Sequence, residues 1–457
     1  MEMRNHGMDP QPALLILVSQ AGYPTHAPRI RALGEATSLY LAGPGQLDQL
    51  DGLPFFACDA TTPVESLLGE LQERGFRPDA LLQLESLDFY PQGLIGQPLP
   101  AFYYATDIHQ HIHWQMEYGK LFDALFIPSP HFLEPMRRNG HVAVYAAPEG
   151  VDLTLFSNPG LSRDLDLVFV GSTQADQHPL RPVLHTLLRD QGYKIQFSPR
   201  ADAATRAKLY GRSRVVLHQG EPGIFSATQL EGAACGAVPC TTAFSGLEPE
   251  LRSEQECITY RDEHDLLHRL ESLLGEGPRW HQLSDAAQQR VKQASWGQRS
   301  QQMLQNMLPF LRQKRTHFAE ADQMKAHAFV YHVRGFGGRG IRMLNTLSNQ
   351  FPEDVELHLL KALSYLNSNL YLEAARELDT LLTQATPPPT AFVEQIADIL
   401  LNTFELAGHT AGALHTAQAL SLPSDAQKRR LARLLSRTSD PLPPEIMEKL
   451  RIPAQTA

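Results

Sequence analysis

Cysteine is scarce: the chain has four among 457 residues, and Cys58, Cys235, Cys240 and Cys257 form no CxxC pair. Their number and uneven spread argue against a disulfide framework and a structural zinc site, and fit a reducing cytoplasm. Cys235 and Cys240 read as small buried residues rather than a redox pair, because Cys packs like a small hydrophobe. Long apolar runs are missing too. Stretches such as residues 13–18, ALLILV, are far too short to cross a bilayer, and the N-terminus shows neither a basic leader nor a long apolar core. A soluble protein without stable membrane insertion is therefore expected. Nor is there an excess of positive charge: 40 Lys and Arg face 50 Asp and Glu, a formal charge of −10. That argues against nucleic acid as a partner and leaves room only for a local basic cleft.

What the chain does have is alternation. Its length exceeds what one hydrophobic core supports, so two or three domains are expected. Short apolar runs, ALLILVSQ (13–20), SLYLAG (38–43), ALLQLES (80–86), AFYYATD (101–107) and ALFIPSP (124–130), are separated by amphipathic segments long enough for helical crossovers. This predicts a parallel-sheet, Rossmann-like α/β domain over residues 10–148. A Pro-, Gly- and Asn-containing linker, APEGVDLTLFSNPGLSRD, follows, and the alternation restarts with LDLVFVGS (165–172), YKIQFSP (193–199), RVVLHQG (214–220), AVPCTT (237–242) and CITYRD (257–262). A second such domain is expected over 149–311, with the ligand site in a cleft at the carboxyl ends of the strands.

From about residue 300 the pattern is helical. Ala328 and Ala362, Tyr331 and Tyr365, Leu344 and Leu378, and Leu347 and Leu381 recur at an interval of 34, with Pro352 answered one residue late by Pro387. That period suits a tetratricopeptide-like helix pair, so an all-α domain of this kind is expected over 316–440, with a weaker unit from Phe392 to Leu420. A plain helical bundle is the alternative.

The stretch GEPGIFSATQLEGAACGAVPCTT (220–242) places one carboxylate, Glu231, among very small residues. A helix starting near Phe225 would aim unpaired amides of its first turn at an anion in front of it. The plainer reading is an Ala-rich helix packed against a sheet. Together, FVGS with Arg181 on the next helix, RVVLHQGEPG, SATQLEGAACGAVPCTT and the closing SWGQRSQQML resemble the second domain of GT-B glycosyltransferases, with the nearest likeness to the CgeB-like spore-maturation family. YYATDIH, FIPSP and APEGVD in the first domain agree with the same family, so the resemblance covers roughly residues 10–311.

The resemblance implies a nucleotide-sugar donor on the second domain and an acceptor on the first. Glu231 matches the carboxylate that takes the donor ribose hydroxyls in related retaining enzymes, and Ser226, Ala227, Thr228 and Gln229 come nearest the phosphates. Enzymes of the glycogen-synthase type carry a second Glu eight residues earlier; here that position is Gly223, and Glu221 stands two residues before it. If no side chain fills the role, backbone amides between Gly220 and Phe225 must hold the sugar, and retention or inversion stays open.

No metal or other cofactor is expected, so the protein must supply the positive partners of the leaving diphosphate. Arg181 and Arg200 could offer N–H forks to it or be solvated surface residues, and Gly171 and Ser172 suit close backbone approach to phosphate. In the first domain Asp107 and His109 are the catalytic candidates, as bases near neutral pH or as sugar contacts. The alternation of Asp107, His109, His111 and His113 suggests a metal face only on an extended segment; a helix starting after Asp107, capped by it, scatters them. Tyr23 and His26 after the first strand border the expected cleft or pack locally, and Glu149 and Asp152 in APEGVD, the expected hinge crossing, touch the donor or fix the linker. The leading expectation is a hexosyltransferase-like enzyme moving a sugar to an acceptor, which the helical tail suggests is a protein. A sugar-nucleotide epimerase and a non-catalytic scaffold that binds a partner through the repeats are the alternatives.

Overall fold

The computed structural model describes residues 11–172, 180–199, 201–219, 225–244, 247–312, 318–384, 388–438 and 442–450. Arg200, Gly220, Glu221 and Gly223 fall outside them, as does Pro387. The chain divides into two compact units, Met1–His317 and Phe318–Ala457.

The first unit holds two sheets. In the N-terminal half the strands are β1 (Ala13–Leu17), β2 (Ser38–Pro44), β3 (Gln49–Leu50), β4 (Leu53–Cys58), β5 (Ala80–Leu84), β6 (Ala101–Tyr104), β7 (Ala124–Ile127) and β8 (Val144–Ala146). Their order is β3-β4-β2-β1-β5-β6-β7-β8, parallel throughout except for β3 against β4. Helices α1 (Tyr23–Gly34), α2 (Val64–Glu73), α3 (Ile108–Tyr118) and α4 (Leu133–Arg138) connect them. The interior strands are apolar runs, broken in β5 by the buried Gln83, because both faces are covered.

The sequence reading did not foresee β3, β4 or β8. β4 lies toward the sheet edge and contains Pro54, which weakens a strand pattern. The hairpin turn before it is nonetheless well specified: Asp51 and Gly52 both have positive φ, 49° and 80°, as a two-residue primed turn requires.

The second half carries β9 (Leu165–Val170), β10 (Ile195–Ser198), β11 (Ser213–His218), β12 (Val238–Thr242) and β13 (Ile258–Tyr260), ordered β10-β9-β11-β12-β13 and parallel. Helices α5 (Leu180–Asp190), α6 (Ala203–Arg212), α7 (Ala227–Ala234), α8 (Glu263–Gly275) and α9 (Gly277–Val291) surround it. Alternate residues separate two cores. Val168 and Val216 face Leu230, Ala233 and Ala287, while Leu167, Phe169 and Val215 face Leu184, Leu188 and Leu266. Helix α10 (Trp296–Arg312) then leaves this half: its Met303, Leu304, Met307 and Phe310 join the first sheet's core with Ile16, Leu82 and Phe102. The segment expected to close the second domain thus packs on the first.

The second unit is helical, with α11 (Glu320–Val333), α12 (Gly337–Gln350), α13 (Val355–Asn367), α14 (Tyr371–Thr383), α15 (Thr390–Ala407), α16 (Thr410–Ala419), α17 (Asp425–Leu435) and α18 (Pro444–Lys449). At the expected interval, Ala328 and Ala362 are fully buried, as are Leu344 and Leu378, whereas Tyr331 is buried and Tyr365 half-buried. Among the described residues no helix is long and apolar enough to cross a membrane.

Candidate functional site

In an open parallel sheet the ligand crevice forms where the chain order reverses, beyond the carboxyl ends of the two strands concerned. In the second half those strands are β9 and β11. Gly171 follows β9 with φ 154°, a conformation L side chains rarely adopt, and its N–H donates to the Ser198 carbonyl at 3.2 Å. Arg181, from the start of α5, spans the crevice floor. It donates from Nη1 to the Ser172 carbonyl at 2.8 Å and from Nη2 to the Gln219 carbonyl at 3.2 Å. Two N–H groups of the arginine expected to face phosphate are thus committed to backbone oxygens.

Helix α7 leaves β11 and carries Glu231. Its small residues have a packing cause: a Cβ on Gly232 would fall 2.4 Å from Val216 Cγ1, so the helix lies directly on β11. The helix start is not bare as expected. Ser226 is the N-cap, accepting from Thr228 N at 3.4 Å through its hydroxyl and from Gln229 N at 3.1 Å through its carbonyl. The first of these bonds is long and weak. Ala227 and Thr228 are half-exposed at the tip, and Phe225 before them is buried in the core. Gln229 is fully buried, and among the described residues neither atom of its amide has a hydrogen-bond partner.

Glu231 is 7% exposed and forms a bidentate pair with Arg206 of α6, which donates from Nη2 to Oε1 at 2.7 Å and from Nε to Oε2 at 2.9 Å. Burial raises its pKa above the usual carboxylate value, and Arg206 and Tyr210 oppose the rise. Arg206 also donates from Nη1 to the Ala201 carbonyl at 3.1 Å and lies 5.5 Å from the Phe156 ring. Behind it, Arg163 joins the far ends of both helices, bonding the carbonyls of Tyr210, Ser213 and Cys235. A cation there complements the negative ends of two helix dipoles.

In the first half the reversal lies between β1 and β5. The loop after β1 is pinned there: Gly22 N donates to Ser19 Oγ at 2.9 Å, and a Cβ on Gly22 would fall 2.4 Å from Ser86 Cβ. His26 is buried, with Nε2 2.9 Å from the Glu85 carbonyl, and burial lowers its pKa to about 4. The Glu85 carboxylate is itself buried, accepting from Tyr103 at 2.5 Å, Tyr90 at 3.2 Å and the Leu87 amide at 2.6 Å.

Asp107 stands at the N-cap of α3, but differs from the expected cap: its backbone is left-handed, φ 49°, and its side chain makes no capping bond. It is exposed, and His109 is half-exposed in the first turn. His111 packs against Trp114 at 5.6 Å, so the histidines follow helical geometry. Among the described residues no cluster of His, Cys, Asp and Glu could hold a metal ion. Tyr23 donates to Asp51 at 3.2 Å, Asp152 accepts from the Thr154 hydroxyl at 2.6 Å, and Glu149 accepts from Tyr104 at 3.1 Å.

Residues 154–305 match a family model described as glycosyl transferase-like. No curated protein matches the chain by sequence. Among solved structures, HepE (Alr3699) of Anabaena in complex with UDP is similar at 12% identity and a TM-score of 0.52, over 65% of this chain and 100% of that one. Its complex with UDP-glucose aligns at 13% identity and 0.50, over 65% and 99%. A glycosyltransferase of Rickettsia africae aligns at 11% and 0.50, over 67% and 100%. The fold of the first unit is GT-B. The two GT-B halves are joined by crossings that pair with each other: Val151 N donates to Ala294 O at 2.9 Å, and Trp296 N to Val151 O at 3.3 Å. Beside them Arg29, almost fully buried, stacks 3.6 Å from the Tyr104 ring and reaches Glu149 at 3.5 Å.

Sequence reasoning missed Arg206, Arg29 and Glu85. Glu85 left a trace, a carboxylate closing an apolar strand beside two later tyrosines. Nothing in the spacing of Arg206 marks it as the partner of a residue 25 positions on.

Proposed function

We propose that the chain is a glycosyltransferase that moves a hexose from a nucleotide-sugar donor to an acceptor without a metal ion, and that it is a CgeB-like member of the GT-B enzymes. The observation that carries this reading is Glu231, a nearly buried carboxylate on the helix that leaves the crevice strand β11. A carboxylate has about four lone-pair positions, so one already holding an arginine fork retains two, enough for both hydroxyls of a ribose cis-diol. The match of residues 154–305 to a glycosyl transferase-like family, and the UDP and UDP-glucose of the HepE complexes, agree with it.

In this reading the donor pyrophosphate meets the α7 tip, where displacing the long Ser226 to Thr228 bond costs little, and Gly171 and Ser172 give it close backbone approach. Arg181 adds positive charge beneath the leaving group while its ties keep the crevice floor in place. His109 or Asp107 lies on the acceptor side as the base. The helix pairs of the second unit favour a protein acceptor: α12 and α14 start 34 residues apart, at Gly337 and Tyr371, the spacing of tetratricopeptide-like units that line a peptide-binding surface.

The test is a panel of nucleotide sugars given to the full chain and to Glu231→Ala. One donor should raise the melting temperature of the wild type and be slowly hydrolysed, and the variant should show neither effect. Failure of every donor to stabilise the wild type would end the transferase reading.

A further inference from the structure

The guanidinium of Arg206 is the one basic group that reaches the Glu231 carboxylate among the described residues, and it does so with two parallel bonds, 2.7 and 2.9 Å. Such a fork fixes orientation as well as charge. The geometry points to Arg206 as a positioning residue for donor binding: it keeps Glu231 ionised and turned so that its remaining lone pairs meet the ribose hydroxyls. This rests on the donor reading of the α7 site.

Three observations support it. The Arg206 side chain is 25% exposed and that of Glu231 only 9%, so water solvates the carboxylate poorly and the arginine must supply the counter-charge. The third bond of Arg206, from Nη1 to the Ala201 carbonyl, anchors the guanidinium to the loop that follows β10, so it is held independently of Glu231. Arg163 then ties the far ends of α6 and α7 together through Tyr210, Ser213 and Cys235, which sets the two helices that carry the pair.

The other titratable groups facing Glu231 are the Tyr210 phenol on α6 and the Cys235 thiol just past the end of α7, while Asp202 acts on Arg206 from the N-cap of α6. Burial pushes the Tyr210 and Cys235 groups up, Cys235 to about 12, so both stay neutral near pH 7 and neither can replace the arginine. Without Arg206 the rise that burial imposes on the Glu231 pKa loses its main opponent, which favours the protonated form. A protonated Glu231 turns one acceptor oxygen into a donor and no longer matches two hydroxyls.

The experiment measures binding of UDP-glucose, ADP-glucose and GDP-mannose by calorimetry to the full chain and to Arg206→Gln, Arg206→Lys and the double variant Arg206→Gln/Glu231→Gln. With whichever donor binds the wild type, Arg206→Gln should lose about tenfold or more in affinity near pH 6.5 and regain most of it near pH 8.5, because burial raises the Glu231 pKa and the variant lacks the arginine that opposes the rise. Arg206→Lys, which keeps the charge and can still reach the carboxylate, should follow the wild-type pH profile with a small uniform loss. The double variant should bind weakly with no pH recovery. An affinity for Arg206→Gln equal to wild type at both pH values overturns the inference and leaves the donor reading intact, as does a loss that high pH does not restore. If Arg206→Gln does not fold, a pH profile for Arg206→Lys that stays steep where the wild type is flat overturns it equally. If no donor binds the wild type, the donor reading itself falls, and this inference with it.

Discussion

Arg181 holds the Ser172 carbonyl at 2.8 Å, and with its second bond, to Gln219, it joins the carboxyl ends of the two strands between which the second sheet reverses order. Arg181→Ala leaves both oxygens without this donor. Bonds from charged donors contribute about 1.5–3 kcal/mol each, but water reaches the half-exposed site, so the expected loss is about 2 kcal/mol in total. Urea unfolding checks this. On the proposed function, donor affinity should fall as well, and Arg181→Lys should recover only part of it, since a single ammonium suits the two divergent carbonyls less well. An unfolding midpoint unchanged in Arg181→Ala would show that the bridge contributes nothing.

His26 makes the first unit acid-sensitive. Its buried ring titrates at about 4, lowered by burial and then by the charge of Arg29, against 6.5 for an ordinary histidine. The unfolded chain therefore takes up the proton first as pH falls. Stability is unaffected above 6.5 and declines between 6.5 and about 4, by about 2 kcal/mol at pH 5. His26→Gln keeps an N–H for the Glu85 carbonyl and cannot titrate. Its urea midpoint should fall less between pH 7 and about 5 than that of the wild type, with His218, also lowered to about 4 by burial, and His185, lowered chiefly by burial, contributing to what remains. Equal slopes for both proteins would show that His26 is not buried in its neutral form.

The strands of both sheets were legible where burial on two faces makes the run wholly apolar, as in residues 13–17 or 167–170. β4 was not, because it lies toward the sheet edge, carries Pro54 and follows a hairpin instead of a helix. Glu231 stood out by contrast with its small neighbours, and Gly232 shows the reason for that smallness in its contact with Val216. Arg206 was illegible because its meeting with Glu231 depends on how two helices on the same face of the sheet are set side by side, which no local pattern encodes. Arg181 was noticed for its charge, but its backbone partners, on strands far apart in sequence, appear only once the sheet is assembled.

The helical unit has a pH optimum built into α13 and α14. His358 is paired with Glu377, whose other oxygen takes Lys361 at 2.9 Å, and His358 Nε2 lies 2.8 Å from the Pro352 carbonyl. The bond to Glu377 raises the histidine pKa above 6.5, so its contribution is complete below 6.5 and disappears as pH rises through the higher folded value. Burial works against ionisation of Glu377, but its bonds to His358 and Lys361 prevail and hold its pKa below 4.5; its contribution is present above 4.5 and is lost at lower pH. Protection of the α13 and α14 amides, taken relative to their intrinsic exchange rates at each pH, should be greatest between these limits. His358→Gln should remove the alkaline limb and leave the acid one, and an unchanged alkaline limb would exclude the pair as its cause.

Two glycines of the first half should respond to alanine with opposite sign. A Cβ on Gly43 would fall 2.1 Å from the Val18 carbonyl oxygen and 2.6 Å from its carbon, both backbone atoms at the end of β1. Neither can rotate away, so β2 must separate from β1 where Val18 N bonds the Ala42 carbonyl at 2.9 Å and Gln20 N the Pro44 carbonyl at 2.8 Å. Gly43→Ala should cost about 3 kcal/mol or prevent folding. Gly69 lies inside α2, exposed, with nothing within 4 Å of the added carbon. Gly69→Ala therefore only narrows the unfolded ensemble and should stabilise by about 0.5–1 kcal/mol. Thermal melts of the two variants distinguish close strand packing from helix propensity, and a Gly43→Ala protein that melts like the wild type would mean that β1 and β2 are not held as tightly as these distances require.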